Sequence, residues 1–541
     1  MSSSPTATAG VAAAAVGSTV STEPSRRISR SAFRYLLLGC LCSLLALGYI
    51  ELGMEQMGPL RHQHPQPPSL VSSLLEEEEE AESDSHKFTI QILGHGFLMK
   101  RDLPMIKQGY EMAFPGQISF TTSITPRSQP DLVLCIALAS CLGRNDVNPP
   151  PACTQCQVNR IPNLRQVLWS KKAFCESVPE WVASLVSFPC WVLPNPQISL
   201  DTIVNHNNNT LDKWISKPHV SGAGFGITVV EGRDKLREVL RSGKSVVIQP
   251  FLDNPLLVKK RKVDLRVYVL VTSAFPVRAY VHSRGLVRFA SQAYEDSTVS
   301  TSKGQSKSQF LTNTSVNKKI SKMTAAELTW SFQRLWEEVG PKRAKEMRLK
   351  MDRSIALVLL SVEQKFARLA GNGTLAHRYH MLGVDVIFSS MDGDEAKVIE
   401  VNGQPSFEGS DIKNDVNGVF AHYEETKLSV ARDIASIVLA PPLLLAHNHT
   451  CGQVYSEYCH ELARESQANT EFRLIYPSAG VGDDTFARLV LEIGGQKRLD
   501  LHQHLIGQET ALFQASCSAG ACQPSLQNAR DLVFADLALR G

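Results

Sequence analysis

The chain has 541 residues, and its 56 basic and 53 acidic side chains leave a formal net charge of +3. So small a net charge excludes the strong basic field that is typical of nucleic-acid-binding proteins, and no nucleic-acid partner is predicted. A chain of this length exceeds one typical hydrophobic core, so we expect two or three folded units.

The first 87 residues are predicted to form a membrane anchor with its two flanks. Residues 1–34 are rich in Ser, Thr and Ala, which is typical of a disordered tail. Residues 35–52 hold a run of sixteen uncharged residues, short of the roughly twenty that a bilayer requires, and are interpreted as a single transmembrane signal anchor. Residues 53–87 contain prolines and an acidic run, which indicates a stem or linker.

The charges around this span predict its orientation. Four arginines precede it and two glutamates follow it. By the positive-inside rule the tail is cytosolic, and the rest of the chain lies in the lumen of the secretory pathway, as in a single-pass type II membrane protein. The alternatives are a mitochondrial presequence, a cleaved signal peptide and a cytosolic location of the main domain.

The cysteines favour the lumenal orientation. Ten of the twelve lie outside the span in close pairs, which indicates disulfides in an oxidising compartment, although spacing does not fix their connectivity. The rival interpretation is a zinc site that uses Cys153 and Cys156 with a second pair. Four glycosylation sequons point to the same compartment: Asn208, Asn313, Asn372 and Asn448.

Residues 88–200, with strand-like runs at 88–92 and 131–134, are predicted to form a smaller N-terminal lobe before a longer region at 201–440. In that region Lys217 ends a short strand, and a glycine-rich loop follows. Such a loop lets backbone N–H groups approach phosphate oxygens, while the lysine adds a point charge. A common hairpin turn is the alternative. The loop contains Gly222, Gly224 and Gly226.

Two further strands carry candidate ligand contacts. Residues 245–252 are predicted to be a buried strand whose extended end can offer backbone groups to an adenine edge. Lys262, Asp264 and Arg266 share one face of the next strand, because side chains alternate with a period of two. Such a row either grips a charged substrate or forms cross-strand pairs on a solvated edge.

Three oxygen-bearing side chains predict a Mg²⁺ site. Asp385 lies in one apolar, strand-like run, and Glu400 and Asn402 project together from the next. If the two strands pair as a hairpin, Asp385 joins them in an all-oxygen cluster that suits Mg²⁺ bridging nucleotide phosphates. The alternative is that Asp and Asn mark strand ends and turns.

In order along the chain, these motifs resemble the tubulin–tyrosine ligase-like family of ATP-grasp ligases. The resemblance runs from about residue 130 to residue 437 and implies an α+β ATP-grasp fold that uses ATP and Mg²⁺. It also implies ligation of a free amino acid to a protein carboxylate through an acyl-phosphate. The matching segments are 217–226, 254–257, 262–270, 285–290, 311–318 and 400–407.

The resemblance implies roles for single residues as well. The metal ligands are Asp385, Glu400 and Asn402. The nucleotide contacts are Lys217, the three loop glycines, Gln249, Leu252, Thr312, Asn313 and either Lys171 or Lys172. The catalytic residues are Lys262, Asp264, Arg266 and Arg288, of which the two arginines bind carboxylates.

Three motifs depart from the family's pattern, at four positions. Pro250 replaces a basic residue, Phe310 replaces a histidine, and Gly403-Gln404 replaces His-Ser, changes that bear on nucleotide affinity and acceptor choice. The leading hypothesis is a ligase that adds glutamate to an acidic protein tail. Tubulin, the family's best-known acceptor, is cytosolic and conflicts with a lumenal domain. The alternatives are a non-tubulin acceptor and a lumenal nucleotide-binding or interaction protein without turnover.

The end of the chain lies beyond the resemblance. Residues 441–541 contain four cysteines and short apolar runs, and they are interpreted as a C-terminal extension to which the sequence assigns no role.

Overall fold

In the computed structural model the chain divides into two compact units. All residues that the structure describes belong to the second unit, Asp84–Gly541. The predicted tail, the span at 35–52, nearly all of the stem and the four sequons lie outside the described residues. Within the described part, no helix has both the length and the apolar character needed to cross a bilayer. The described ranges are 87–94, 96–123, 129–136, 156–205, 212–219, 224–294, 307–312, 317, 327–370, 377–390, 394–409, 421–440, 462, 464–465 and 468–477.

The first sheet is parallel, with strand order β2-β1-β3-β4. All four residues of β3 are buried, as is typical of an interior parallel strand. A helix, α1, follows the first strand. The elements are β1 (Phe88–Leu93), α1 (Gly96–Ala113), β2 (Ile118–Thr121), β3 (Leu132–Cys135) and β4 (Gln157–Val158).

The second sheet is antiparallel, with strand order β5-β8-β6-β7. Its strand β5 lies inside the predicted N-terminal lobe but pairs with β8, beyond residue 200. The elements are a π-helical turn (Arg165–Trp169), α2 (Lys171–Ser177), α3 (Glu180–Val186), β5 (Trp191–Leu193), α4 (Leu200–Asn205), β6 (Lys213–Pro218), β7 (Thr228–Glu231), α5 (Arg233–Arg241) and β8 (Val246–Pro250).

The third sheet is built around the long strand β10, which pairs with β9, β11, β12 and β14. A hairpin joins β14 to β15. The elements are β9 (Leu257–Val258), β10 (Arg261–Ala274), β11 (Val277–His282), β12 (Leu286–Phe289), α6 (Lys307–Phe310), β13 (Thr329–Ser331), α7 (Phe332–Val339), α8 (Pro341–Ala370), β14 (His380–Ser389), β15 (Glu395–Asn402), α9 (Ala421–Val438) and β16 (Phe472–Tyr476).

Helices cover both faces of the third sheet, which gives an α+β architecture. Helix α8 buries a stripe with helical spacing against one face. Helices α1 and α9 form a second core with the opposite face, which contributes Tyr268 and Leu270. The residues of the α8 stripe are Met347, Met351, Ile355, Val358 and Val362.

The C-terminal extension contributes to the third sheet. Strand β16 pairs with β11 at the sheet's edge. Beside it, the carboxylate of Glu465 accepts hydrogen bonds from Nε of Arg278 at 2.7 Å and from Nη2 at 2.8 Å, and both side chains are buried. A buried charge is retained in a fold only with such partners, so the extension is part of the folded core.

Disulfides tie the N-terminal half together. Cys175 and Cys190 are bonded, with their Cα atoms 5.8 Å apart. Cys135 and Cys156 each take part in a disulfide as well. Because zinc binds the thiolate and not a disulfide sulfur, the bonded state of Cys156 disfavours the zinc interpretation.

Candidate functional site

A row of charged side chains crosses adjacent strands of the third sheet. Arg288 on β12 lies opposite Asp264 on β10, and Arg266 on β10 lies opposite Asp385 on β14. Residues directly opposite in antiparallel strands project to one face, so cations and anions alternate across the sheet. Lys262 precedes Asp264 by two residues and extends the row along β10.

Asp385 accepts hydrogen bonds from both arginines. Nε of Arg266 donates to Oδ1 at 2.6 Å, and Nη2 of Arg288 lies 2.8 Å from Oδ2. Burial acts to raise the pKa of the Asp385 carboxyl, but the two guanidinium groups outweigh it and hold the pKa below its usual value. Nε of Arg288 also donates to Oδ1 of Asp264 at 2.6 Å, so Arg288 bridges two carboxylates.

The hairpin of β14 and β15 brings the three predicted metal ligands together. Asp385 lies opposite Glu400, and Gly383 lies opposite Asn402. Nδ2 of Asn402 is 3.3 Å from Oε1 of Glu400 and 3.5 Å from Oδ2 of Asp385. The hairpin therefore places two carboxylates and one amide within hydrogen-bond reach of each other.

This donor set fits Mg²⁺. Mg²⁺ binds through one or two carboxylates and keeps several other oxygen ligands, including those of phosphates. The amide of Asn402 can turn to present its oxygen, since the two ends of an amide are assigned by the hydrogen bonds around them. Among the described residues, this site included, no group of three or more His, Cys, Asp or Glu side chains is placed to hold a metal ion, so the donor set here depends on the amide of Asn402.

Two lysines approach Glu400 across a narrow cleft. Nζ of Lys171, at the start of α2, lies 3.3 Å from Oε2 of Glu400. Lys172 instead pairs with Glu176 on the exposed side of the helix, so the structure places Lys171 at the site. Lys217 on β6 lines the same cleft, and burial lowers its pKa to about 8 although Glu400 acts against that shift.

The end of β8 completes this cleft. Gln249 is buried and lines it together with Lys217. Nζ of Lys262 lies 5.4 Å from the centroid of the Phe251 ring, and burial lowers the pKa of Lys262 to about 8 against the attraction of nearby carboxylates. Leu252 is half-buried in the extended segment that follows.

Residues 193–419 match the family model described as the Tubulin-tyrosine ligase family. The chain carries a tubulin-tyrosine ligase family domain. This confirms the family that the sequence motifs predicted. The matched residues include the row on β10, β12 and β14 and the predicted metal ligands on β15.

The relatives of this domain are named as glutamylases. Mouse "Tubulin monoglutamylase TTLL4" is 39% identical over 142 residues, which are 25% of this chain and 11% of that protein. "Tubulin polyglutamylase ttll-4" of Caenorhabditis elegans is 30% identical over 241 residues, 42% of this chain and 36% of that protein. Human "Probable tubulin polyglutamylase TTLL2" is 28% identical over 204 residues, 36% and 31% respectively. The chain thus spans about a tenth to a third of the length of these relatives.

The glycine loop of the tubulin-tyrosine ligase domain is described in part. Gly224 and Gly226 have φ values of +72° and +75° and form the turn before β7. A Cβ on Gly226 would lie 2.7 Å from Cγ of Pro218, the residue after Lys217. Both its positive φ and this lack of space therefore require glycine at position 226. Gly222 lies outside the described residues, as does Asn313, a predicted nucleotide contact.

The departures from the family pattern have defined places in the domain. Phe310 is buried against Phe251, with ring centroids 6.2 Å apart, so the usual histidine position is apolar here. Thr312, two residues on, donates from Oγ1 to Oδ2 of Asp264 and joins the charged row. Nε2 of Gln404 donates to the carbonyl oxygen of Ile136 at the end of the first sheet.

One buried cation of the domain was absent from the predicted site residues. Lys427 on α9 is 2% exposed, and burial lowers its pKa to about 7 although Glu408 acts against that shift. The sequence held a signal for it, namely a lysine at a core-facing helical position. The residues three, four and seven positions later, Val430, Ala431 and Ile434, are all buried and apolar.

Proposed function

We propose that this chain is an ATP-dependent carboxylate–amine ligase with an ATP-grasp fold, which joins glutamate to a protein carboxylate through an acyl-phosphate. The observation that carries the proposal is the convergence of Asp385, Glu400 and Asn402 beside two arginines and two lysines. The names of the relatives support glutamate as the amino acid.

In this proposal, one group of site residues binds the nucleotide and its Mg²⁺, and another binds the acceptor carboxylate. When bound, Mg²⁺ would neutralise phosphate charge and align the transferred phosphoryl group. Asp385, Glu400 and Asn402 would hold it. Lys171 and Lys217 attract phosphate oxygens at the cleft, where a low dielectric strengthens the attraction.

The two arginines orient the acceptor in this proposal. A guanidinium group binds a carboxylate with two parallel hydrogen bonds, which fixes its direction as well as its position. Arg266 already holds a carboxylate in this way, that of Asp385, and Arg288 adds one contact to the same carboxylate. Their position beside the proposed metal ligands supports a site in which an acceptor carboxylate is held within reach of a γ-phosphate.

The acceptor is a protein with an acidic tail. The names of the relatives make tubulin the first candidate. The predicted anchor at 35–52 and the disulfides support a type II membrane protein whose ligase domain lies in the lumen, and in that compartment the acceptor is a protein other than tubulin.

Replacing the central metal ligand tests the proposal. Full-length protein in detergent is given Mg²⁺, ATP, labelled glutamate and a panel of acceptors that includes tubulin and acidic peptides. We expect Glu400→Gln to lower glutamate transfer at least about a hundredfold, because a charge needed in the transition state is lost. Its thermal unfolding midpoint should match that of the wild type, because the side-chain volume is kept.

The matched control is Glu395→Gln, which removes an exposed glutamate from the same strand. It should transfer glutamate at the wild-type rate. Glutamate transfer by Glu400→Gln at the wild-type rate would contradict the assignment of Glu400 as a metal ligand. A wild type that binds ATP but releases no ADP with any acceptor would favour the nucleotide-binding alternative without turnover.

A further inference from the structure

Parts of two hydrophobic cores enclose the cleft around Lys171. Helix α2 contributes Phe174, which is buried in the core of the third sheet. Strands β6 and β8 contribute Lys217 and Gln249, and their sheet has a separate core that includes Trp191. The width of the cleft therefore depends on how the two cores are held against each other.

A disulfide connects these two cores. Cys175 lies on α2, and Cys190 directly precedes Trp191, the first residue of β5. Strand β5 pairs with β8, where Trp191 lies opposite Ile248, and the next residue of β8 is Gln249, which lines the cleft. The bond therefore runs from the helix on one wall of the cleft to the sheet that forms another wall.

The chain crosses between the two cores close to this bond. Val186, at the end of α3, is buried in the core of the third sheet, and Trp191 is already in the core of the second. The connection between them consists of residues 187–190. A movement of one core against the other would be taken up by such a short connection. Because Cys190 is its last residue, the disulfide fixes the end of the connection to α2.

The position of Lys171 depends on the position of α2. Lys171 is the first residue of this helix, and Cys175 lies one helical turn after it on the same face. Nζ of Lys171 lies 3.3 Å from Oε2 of Glu400, and the two side chains are only 15% and 24% exposed. A helix of seven residues is not stable alone, so tertiary contacts keep it in place, and the disulfide is its covalent contact.

A contact between a lysine and a phosphate is sensitive to such positioning. The attraction between two charges falls with the distance between them, and it is largest where the surroundings exclude water. A misplacement of about 1 Å is enough to weaken a productive contact. If α2 moved relative to β8, Lys171 would leave both Glu400 and the phosphates that the proposed function places beside it.

The bond is open to a small reductant. Cys175 and Cys190 are both half-buried, whereas Cys135 and Cys156, which also take part in disulfides, are 1% and 6% exposed. Thiol–disulfide exchange requires access to a sulfur atom, so we expect the bond between Cys175 and Cys190 to be reduced first among these. A dithiol gives the bond two electrons and two protons, which leaves two thiols, and the dithiol itself closes to a cyclic disulfide.

We propose that the disulfide between Cys175 and Cys190 positions Lys171 for the phosphates of ATP, so that nucleotide affinity depends on the redox state of this bond. The inference rests on the proposed function and adds the element that sets the geometry of its nucleotide cleft. In the oxidised protein α2 is fixed to the second sheet, and Lys171 stays beside Glu400. In the reduced protein α2 is held by noncovalent contacts alone, and Lys171 loses part of its attraction to phosphate.

A double-mutant cycle tests whether the disulfide acts through Lys171. Full-length protein in detergent with Mg²⁺ is titrated with a non-hydrolysable ATP analogue in a calorimeter. We expect Lys171→Met to weaken the analogue at least about tenfold, the loss of one charge-assisted contact. Cys175→Ala combined with Cys190→Ala should weaken it about fivefold when Lys171 is present and less than about twofold in Lys171→Met. A purely structural role of the disulfide would weaken it by the same factor in both.

The matched control is Glu176→Gln, which changes the neighbour of Cys175 on the exposed side of α2, where Glu176 pairs with Lys172. It should bind the analogue like the wild type. Dithiothreitol makes the same comparison without substituting a cysteine. It should weaken the analogue in the wild type and not in Lys171→Met, which decides the question if the double cysteine variant does not fold.

The contrary outcomes separate the positioning role from the ligase. Wild-type affinity in the double cysteine variant, or equal weakening with and without Lys171, would overturn the positioning role and leave the proposed function standing. An unchanged affinity of the wild type after complete reduction of the bond would overturn it too. Failure of the oxidised wild type to bind the analogue would overturn the proposed function itself.

Discussion

Burial lowers the pKa of three lysines of the domain. It lowers the pKa of Lys217 and Lys262 to about 8 and that of Lys427 to about 7. An anion bound beside such a lysine favours its charged form, so binding and protonation are coupled. The arginines behave differently, because a guanidinium group stays charged even when buried, and Arg266 and Arg288 keep Asp385 ionised.

A buried histidine should make the stability of the fold depend on pH. The N–H of Ile161 donates to Nδ1 of His380, so Nε2 carries the proton and donates to the carbonyl oxygen of Gly403. The contact at Nδ1 needs the neutral ring, and burial lowers the pKa of His380 to about 3 although the bond to Gly403 acts against that shift. The unfolded chain, with a pKa of about 6.5, binds more protons below that value, so the free energy of unfolding falls as pH drops from about 6.5 to 3.

The size of this effect follows from the pKa difference. At pH 4.5 the histidine should cost about 2–3 kcal/mol relative to pH 7. Denaturant unfolding of the wild type and of His380→Gln at the two pH values isolates it, because glutamine does not titrate. We expect the variant to lose less stability on acidification than the wild type. An equal loss in both proteins would contradict the assignment.

At the scale of secondary structure, strand register creates the site. The long strand β10 carries Asp264 and Arg266 between β12 on one side and β14 on the other. If β10 shifted by one residue against its neighbours, all of its charged side chains would move to the opposite face of the sheet. The bulge in the hairpin after Asp385 leaves Asp385 opposite Glu400 and realigns the pairs beyond it.

The contact between α1 and α9 depends on one glycine. A Cβ on Gly109 would lie 2.5 Å from Cβ of Ala431 and 2.8 Å from the main-chain nitrogen of Arg432. Alanine favours a helix over glycine by about 1 kcal/mol, but the overlap with backbone forces the helices apart. We expect Gly109→Ala to lower the free energy of unfolding by about 1–2 kcal/mol net.

Chemical denaturation of the full chain measures this change. Gln108→Ala is the matched control, because Gln108 is the preceding residue of the same helix and is exposed. It should leave the free energy of unfolding near the wild-type value. An unchanged or higher stability of Gly109→Ala would show that the two helices separate without cost.

At the scale of the whole molecule, segments distant in sequence complete one core. Strand β16 extends the third sheet, and Glu465 pairs with Arg278 on β11. The extension therefore has a structural role that its sequence did not indicate. In the N-terminal half, the disulfide between Cys175 and Cys190 joins α2, which carries Lys171, to the segment before β5.

These disulfides support the proposed lumenal location, which a cell experiment can test. The full-length protein is expressed in cells, digested with glycosidase and, in intact microsomes, with protease. We expect a mobility shift after deglycosylation and a protected C-terminal end, because the predicted span translocates everything after it. No shift with an accessible C-terminal end would place the domain in the cytosol and make tubulin the leading acceptor.

The sequence by itself determined the strands, their faces and the family. Side chains of a strand point alternately to its two faces, with a period of two residues. Glu400 and Asn402 are two residues apart, so the sequence alone predicts that they share a face. The apolar runs around Asp385 and Lys217 likewise predicted β14 and β6. The motif order predicted the tubulin-tyrosine ligase family.

Only the tertiary structure decided which charges meet. The choice between Lys171 and Lys172 depended on where α2 lies against β15, and the sharing of Asp385 by two arginines depended on the register of three strands. The tertiary structure also brought Lys427 of α9 to the carbonyl oxygen of Glu408. Such contacts join residues far apart in the chain. A local sequence pattern predicts which face of a strand a side chain occupies, but it does not predict which side chain of another strand lies opposite. That pairing depends on the packing of the whole sheet.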